Sequence, residues 1–300
     1  MQVTSCLVVT HGFFGDILFA SSLAEKLATS YSEVDFLIGY PQVRQLLENN
    51  PYISNVYVSY YPKPQPDLFN LPNKDYAKVI QLPVLSFTTP PAVEYQTYAG
   101  IENPTPHYSV YTLGEYDSKA QDLLRDIKKD GKKVLAVMAN WRSKTYLFTP
   151  EQYQAGIDVP NLGYGGSHRD TDSILRELQE EFILLEVGVP DRSQAETTSI
   201  PDTHPKSLLF EASILKYCDA FIGTEGGLCN LAAGVGTKTI ITGDFIHQLY
   251  GWNGVLKKIV EPKLGPVHYF PERGHVVLDP FLTDEDVAIQ IKQALNENNL

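Results

Sequence analysis

The chain has 300 residues, about twice the usual domain length, which predicts two domains. Hydrophobic residues make up 43% and charged residues 20%, a balance that excludes wholesale disorder. The 24 Lys and Arg against 36 Asp and Glu leave a net charge of −12, which excludes a general electrostatic footprint for nucleic acid or anionic membrane; any phosphate must be held locally.

Short β-branched runs alternate with helical patterns, the signature of parallel α/β sheets. Val3–Thr10 reads as a buried strand, and Asp16–Ser30 as a helix with Ile17, Leu18, Leu23, Ala24 and Leu27 on one face. Val34–Gly39 is a second strand and Gln42–Asn49 a second helix; Asn55–Val58 and Lys78–Leu82 are further strands. Ten of the 20 prolines and ten of the 18 tyrosines lie between Pro51 and Tyr116, a density that predicts extended surface loops rather than long regular elements. Alternation resumes with a helix at Ser118–Lys129, a strand at Lys133–Ala139, a helix at Thr171–Glu181 and a strand at Phe182–Val187. Next come a helix at Lys206–Tyr217, a strand at Ala220–Gly223, a helix at Gly227–Val235, a strand at Lys238–Thr242, and a last helix from Asp284 to about Asn296. The expected boundary lies near Gly131, with Asp117–Asp130 as the bridging segment, giving domains of residues 1–130 and 131–300. Two doubly wound, Rossmann-like α/β domains facing a central cleft are the expected architecture.

The three cysteines (Cys6, Cys218, Cys229) are too few for a disulfide framework and read as reduced and intracellular. No CxxC, HExxH or HxxxH spacing occurs, so no metal site is expected. The first apolar run, Cys6–Thr10, is short and lacks a basic flank, so it reads as neither signal peptide nor membrane span; the expected location is the cytoplasm.

Three segments could carry chemistry. His11-Gly12-Phe13-Phe14-Gly15-Asp16 forms the turn after the first strand, where two glycines allow a sharp bend. Asp16 there is either an N-cap or a carboxylate able to take a proton from an incoming hydroxyl, with His11 as a second base candidate. Thr224-Glu225-Gly226-Gly227-Leu228-Cys229-Asn230 is a Gly-rich turn running into a small-residue helix, suited to a diphosphate or simply to close packing. Asn140-Trp141-Arg142-Ser143-Lys144 follows a strand, and Lys144 by preference could neutralise phosphate charge on a leaving nucleotide. Asp170-Thr171-Asp172 spells a metal-binding DxD but reads as a helix cap, and Gly163-Tyr164-Gly165-Gly166 fits no spaced phosphate motif. The tyrosines of the middle segment could stack on sugar rings or fill a thin core.

In Gly15-Asp16-Ile17-Leu18, in Leu46–Val58 and above all in Ser207–Phe245, the chain resembles glycosyltransferase family 9, the ADP-heptose:lipopolysaccharide heptosyltransferases and relatives. That resemblance implies a GT-B fold and inverting, metal-independent transfer of a sugar from a nucleotide diphosphate to a glycan or glycolipid hydroxyl. It implies Asp16 as catalytic base in the N-terminal acceptor domain, where His11 and Gly15 are the acceptor-side candidates. On the donor side, in the C-terminal domain, it implies Lys144, Thr224, Gly226 and Gly227; Arg142, Glu225 and Asn230 in the same segments are further donor-side candidates. No cofactor is implied, since the nucleotide sugar is a substrate; no nucleic acid or transmembrane segment is expected, and a peripheral position at a membrane is compatible. The chain departs from the family pattern at Glu225, where Asp is usual, and at Asn230, where His is usual, so heptose itself is not implied. The rival readings are a nucleotide-sugar 2-epimerase on the same fold and a non-catalytic homologue that binds glycan or nucleotide.

Overall fold

A computed structural model describes residues 4–10, 12, 14–59, 73–83, 85, 89–128, 131–138, 171–188, 198–199, 207–223, 226–242, 275–278 and 282–296. The chain divides into two compact units between Tyr116 and Asp117. In the first, strands β1 (Ser5–Thr10), β2 (Glu33–Ile38), β3 (Asn55–Val58) and β4 (Lys78–Gln81) form a sheet of order β3-β2-β1-β4. All its pairings are parallel, with Val8 opposite both Phe36 and Ile80. β1 is buried at every position, as an inner strand of a parallel sheet must be when both faces are covered.

Helices α1 (Phe14–Ala20) and α2 (Ser22–Leu27) replace the single helix expected over Asp16–Ser30. The break has a local cause. Ser21 Oγ donates to the Leu18 carbonyl at 2.6 Å, and its N–H is shared between Ile17 and Leu18, which tightens the turn. A 3₁₀ turn (Pro41–Val43) and α3 (Arg44–Glu48) occupy the second expected helix. The Pro/Tyr-rich middle was expected to hold loops, yet α4 (Pro91–Tyr98) forms there. Pro90 and Pro91 start this helix rather than forbid it, because a proline at the first helical position loses only an N–H that has no intrahelical acceptor. Its end is closed by Gly100 N–H on the Thr97 carbonyl and Ile101 N–H on the Gln96 carbonyl.

Among the described residues the second unit holds six parallel strands: β5 (Val134–Met138), β6 (Ile183–Val187), β7 (Thr198–Ser199), β8 (Ala220–Gly223), β9 (Thr239–Ile241) and β10 (Val276–Val277). Their order is β10-β9-β8-β5-β6-β7. The two-residue strands β7 and β10 carry no sequence signal of their own. Helices α5 (Gly114–Ile127), α6 (Thr171–Gln179), α7 (Leu208–Tyr217), α8 (Gly227–Gly234) and α9 (Asp284–Asn296) complete the unit. Leu135, Val137, Leu184 and Ile222 of the sheet pack with Ile174 and Leu178 of α6 and with Val287 and Ile291 of α9. The division falls in the first turn of α5. Asp117 explains this: it accepts from Ser213 Oγ and Lys216 Nζ, each at 2.7 Å, and so ties α5 to α7. Among the described residues no helix is long and apolar enough to cross a membrane.

Toward the amino ends of β2 and β3, the fully buried Asp35 accepts from Asn55 Nδ2 (2.9 Å), Lys74 Nζ (2.8 Å) and Tyr76 Oη (2.8 Å). Lys74 also pairs with Glu33 at 2.5 Å. Burial and the Asp35 carboxylate push the Tyr76 phenol far above its ordinary value, so it donates throughout the neutral range.

All three cysteines are free and buried. Burial pushes the Cys6 thiol up to about 11 and that of Cys218 up to about 12. Folding therefore favours the neutral thiols. The stability they contribute is whole below about pH 9 and is lost as the pH rises toward 11 and 12. Lys74, Lys216 and Lys292, raised by hydrogen bonds to their carboxylate partners against the opposing effect of burial, add loss of the same sign above their ordinary 10.5. The urea midpoint should therefore hold steady from neutral pH to about 8.5 and fall beyond it. Near pH 8, where roughly 10⁻³ of a thiol with so high a pKa is ionised, an aromatic disulfide reagent should leave the native cysteines untouched and modify them after unfolding. Fast labelling of the native protein would contradict this burial.

Candidate functional site

In an open parallel sheet, ligands bind beyond the carboxyl ends of the strands, where the strand order reverses. In the first unit that point lies between β1 and β4; in the second, between β5 and β8. Each is considered by itself.

At the first, β1 ends at Thr10 and α1 begins four residues later. Asp16 sits in the first turn of α1, as its third residue rather than its N-cap, where the helix dipole favours a negative charge by about 0.3–1 kcal/mol. Its side chain is half-buried. Gly12 is why it fits. A Cβ built on Gly12 would lie 2.5 Å from Asp16 Oδ2 and 2.6 Å from Cγ, so the backbone of the turn lies directly against the carboxylate. From α4, Tyr95 is 2% exposed; burial raises its phenol well above the ordinary value, the Asp16 charge adds to the rise, and the Thr10 hydroxyl opposes it. Asp16 thus shares its surroundings with a neutral phenol. Gly15, expected on the acceptor side, is the second residue of α1, and His11 lies outside the described residues.

At the second point, β8 ends in Gly223, where a Cβ would meet Met138 Cβ of β5 at 2.8 Å and Phe221 Cζ at 2.9 Å. Gly226 caps α8, and Asn230 N–H bonds the Gly226 carbonyl at 3.0 Å as the helix begins. Among the described residues, a Cβ on Gly226 would meet Met138 Cε, at 4.0 Å. The helix start at Gly227 carries first-turn N–H groups and the positive end of the helix dipole, an arrangement that suits an anion. Gly226, Gly227 and the buried Asn230 are brought together here. Thr224, Glu225, Arg142 and Lys144 lie outside the described residues, as do Asp170 and the stretch 163–166; Asp172 lies in the first turn of α6.

Sequence reasoning missed Gly12 as the residue that seats Asp16, and Tyr95, Met138 and Gly188 as neighbours of the two points. Gly12 lies in the same short turn as Asp16, whereas Tyr95, Met138 and Gly188 stand on another helix or at a strand end, and only the fold brings these three there. Most described tyrosines of the middle segment have packing roles. Tyr108 is 3% exposed and meets Phe19 edge to face at 5.4 Å, while Tyr52 and Tyr111 meet at 6.4 Å.

No protein-family model matches the chain, and no curated protein does. Solved structures do match. The glycosyl transferase family 9 protein from Veillonella parvula superposes with a TM-score of 0.62 at 11% identity, over 99% of this chain and 99% of that one. The chain has the fold of these transferases. Escherichia coli ADP-heptose lps heptosyltransferase II gives a TM-score of 0.56 at 12% identity, over 97% of this chain and 98% of that one. The E. coli heptosyltransferase WaaC, solved with ADP, gives 0.56 at 12% identity, over 97% and 100%. At this identity the likeness is one of fold, an α/β architecture with parallel sheets.

Proposed function

We propose that this chain is an inverting glycosyltransferase that moves a sugar from a nucleotide-diphosphate donor to an acceptor hydroxyl without a metal. The observation that carries the reading is the pair of strand-order reversals: one holds a carboxylate seated by Gly12, the other a glycine-lined helix start. In the reaction, the acceptor O–H gives its proton to the Asp16 carboxylate as its oxygen bonds the anomeric carbon. The bond from that carbon to the diphosphate breaks, and the nucleoside diphosphate leaves with the electron pair. One displacement inverts the configuration. The helix start at Gly226–Gly227, together with Lys144 and Arg142, would take the diphosphate charge.

WaaC was solved with ADP, so adenine joins guanine, uracil, cytosine and thymine among the bases to test. A thermal-shift panel of ADP-, GDP-, UDP-, CMP- and dTDP-sugars should show one class raising the unfolding temperature, because a ligand that binds only the folded chain stabilises it by RT ln(1 + [L]/Kd). That donor, with acceptor glycans, should release nucleoside diphosphate at a rate that EDTA does not change. Conversion of the donor to its epimer without acceptor would turn the reading to an epimerase, and binding with no turnover across acceptors would turn it to a recognition protein.

A further inference from the structure

The geometry points to Glu211 as a positioning residue for the donor-binding helix start at Gly226–Gly227, acting through Gly188 and Leu228. The inference rests on the donor role proposed above for that helix start. Glu211 projects from α7 and is 5% exposed. A carboxylate so deeply buried is costly unless it is hydrogen-bonded. Its Oε1 accepts the Gly188 N–H at 2.6 Å, a charge-assisted bond to the first residue after β6. Gly188 has φ +86°, a conformation that other residues adopt only under strain. A methyl group there would lie 2.6 Å from Leu228 Cδ1, so the Gly188 backbone lies directly against Leu228, the second residue of α8. Two contacts thus run in series: Glu211 orients Gly188, Gly188 seats Leu228, and Leu228 belongs to the helical turn whose N–H groups would meet the diphosphate. Amides held in place before the ligand arrives spare it the cost of ordering them.

The test compares the full chain with Glu211→Ala, Glu211→Gln and Leu228→Ala. Three quantities are read: Kd for ADP, GDP and UDP by calorimetry, KM for donor and for acceptor, and hydrogen–deuterium exchange. Glu211→Ala should weaken nucleotide binding and raise the donor KM by roughly 3- to 30-fold, with the acceptor KM unchanged, and should speed exchange over residues 226–230. A variant that merely loses folded protein would lower kcat with the donor KM unchanged. Glu211→Gln keeps an oxygen acceptor for Gly188 and should restore both donor affinity and slow exchange. Leu228→Ala, which leaves the buried carboxylate untouched, should reproduce the donor defect even if Glu211→Ala folds poorly, and the double variant should lose less than the two singles together. Unchanged donor affinity and exchange in Glu211→Ala, or equal losses in Glu211→Ala and Glu211→Gln, would overturn the inference and leave the transferase reading standing. A wild-type chain that binds none of the three nucleotides and none of the sugar panel would remove the donor reading and, with it, this role. The exchange data would then report Glu211 as an ordering residue of α8 alone.

Discussion

Asp16→Asn is expected to lower glycosyl transfer by at least about 10²-fold with the fold and the donor affinity unchanged. Asn is nearly isosteric with Asp and fits beside Gly12, where the turn leaves no room for extra atoms. It removes the proton acceptor and nothing else of that size. The loss should therefore appear in kcat with the donor KM preserved, since a general base acts in the transition state and not in donor binding. Gly12→Ala is the companion variant. Its methyl would overlap the Asp16 carboxylate, so it should displace the base and also reduce transfer, by about tenfold or more, although no titratable group has changed. Turnover of Asp16→Asn near the wild-type rate would reject the base. A full-rate Gly12→Ala beside an inactive Asp16→Asn would show that the turn yields, and that its close approach does not set the geometry.

The second large effect is on stability. Asp35→Ala should cost about 3 kcal/mol, at the low end for breaking a buried ion pair by removing one partner. The fully buried carboxylate serves Asn55, Lys74 and Tyr76, and its removal leaves the phenol and the amide without that acceptor. Lys74 keeps Glu33, which holds the cost near the lower bound. Glu33 is itself at the surface, with its side chain 36% exposed, so Glu33→Ala should cost far less than Asp35→Ala. Urea denaturation of the two variants side by side reads the difference, and equal midpoints would mean that Asp35 is not the centre of this cluster. Catalysis should be affected little by either change in the protein that remains folded, because Asp35 stands opposite Leu7 in the register, well before Thr10 and the turn that leads to Asp16.

What the sequence determined by itself was whatever depends on neighbours along the chain. β3, β8 and α9 run over the residues expected of them, because apolar periodicity and capping residues act within a few positions. The Asp16 turn and the Gly226–Gly227 helix start were legible for the same reason, each being a strand end, a glycine pair and a helix in one short run. Proline density misled at α4, since Pro90 and Pro91 restrict a helix interior but suit its first turn. Only the tertiary structure could decide which distant residues meet. The parallel sheet brings the carboxyl ends of β5, β6 and β8 to one edge, so that Met138 and Gly188 become neighbours of the start of α8, far along the chain. It likewise sets Tyr95 of α4 within reach of the Asp16 charge and Glu211 of α7 on the Gly188 amide. These contacts follow from strand order and from helices crossing over the sheet, and a linear pattern of residue types encodes neither.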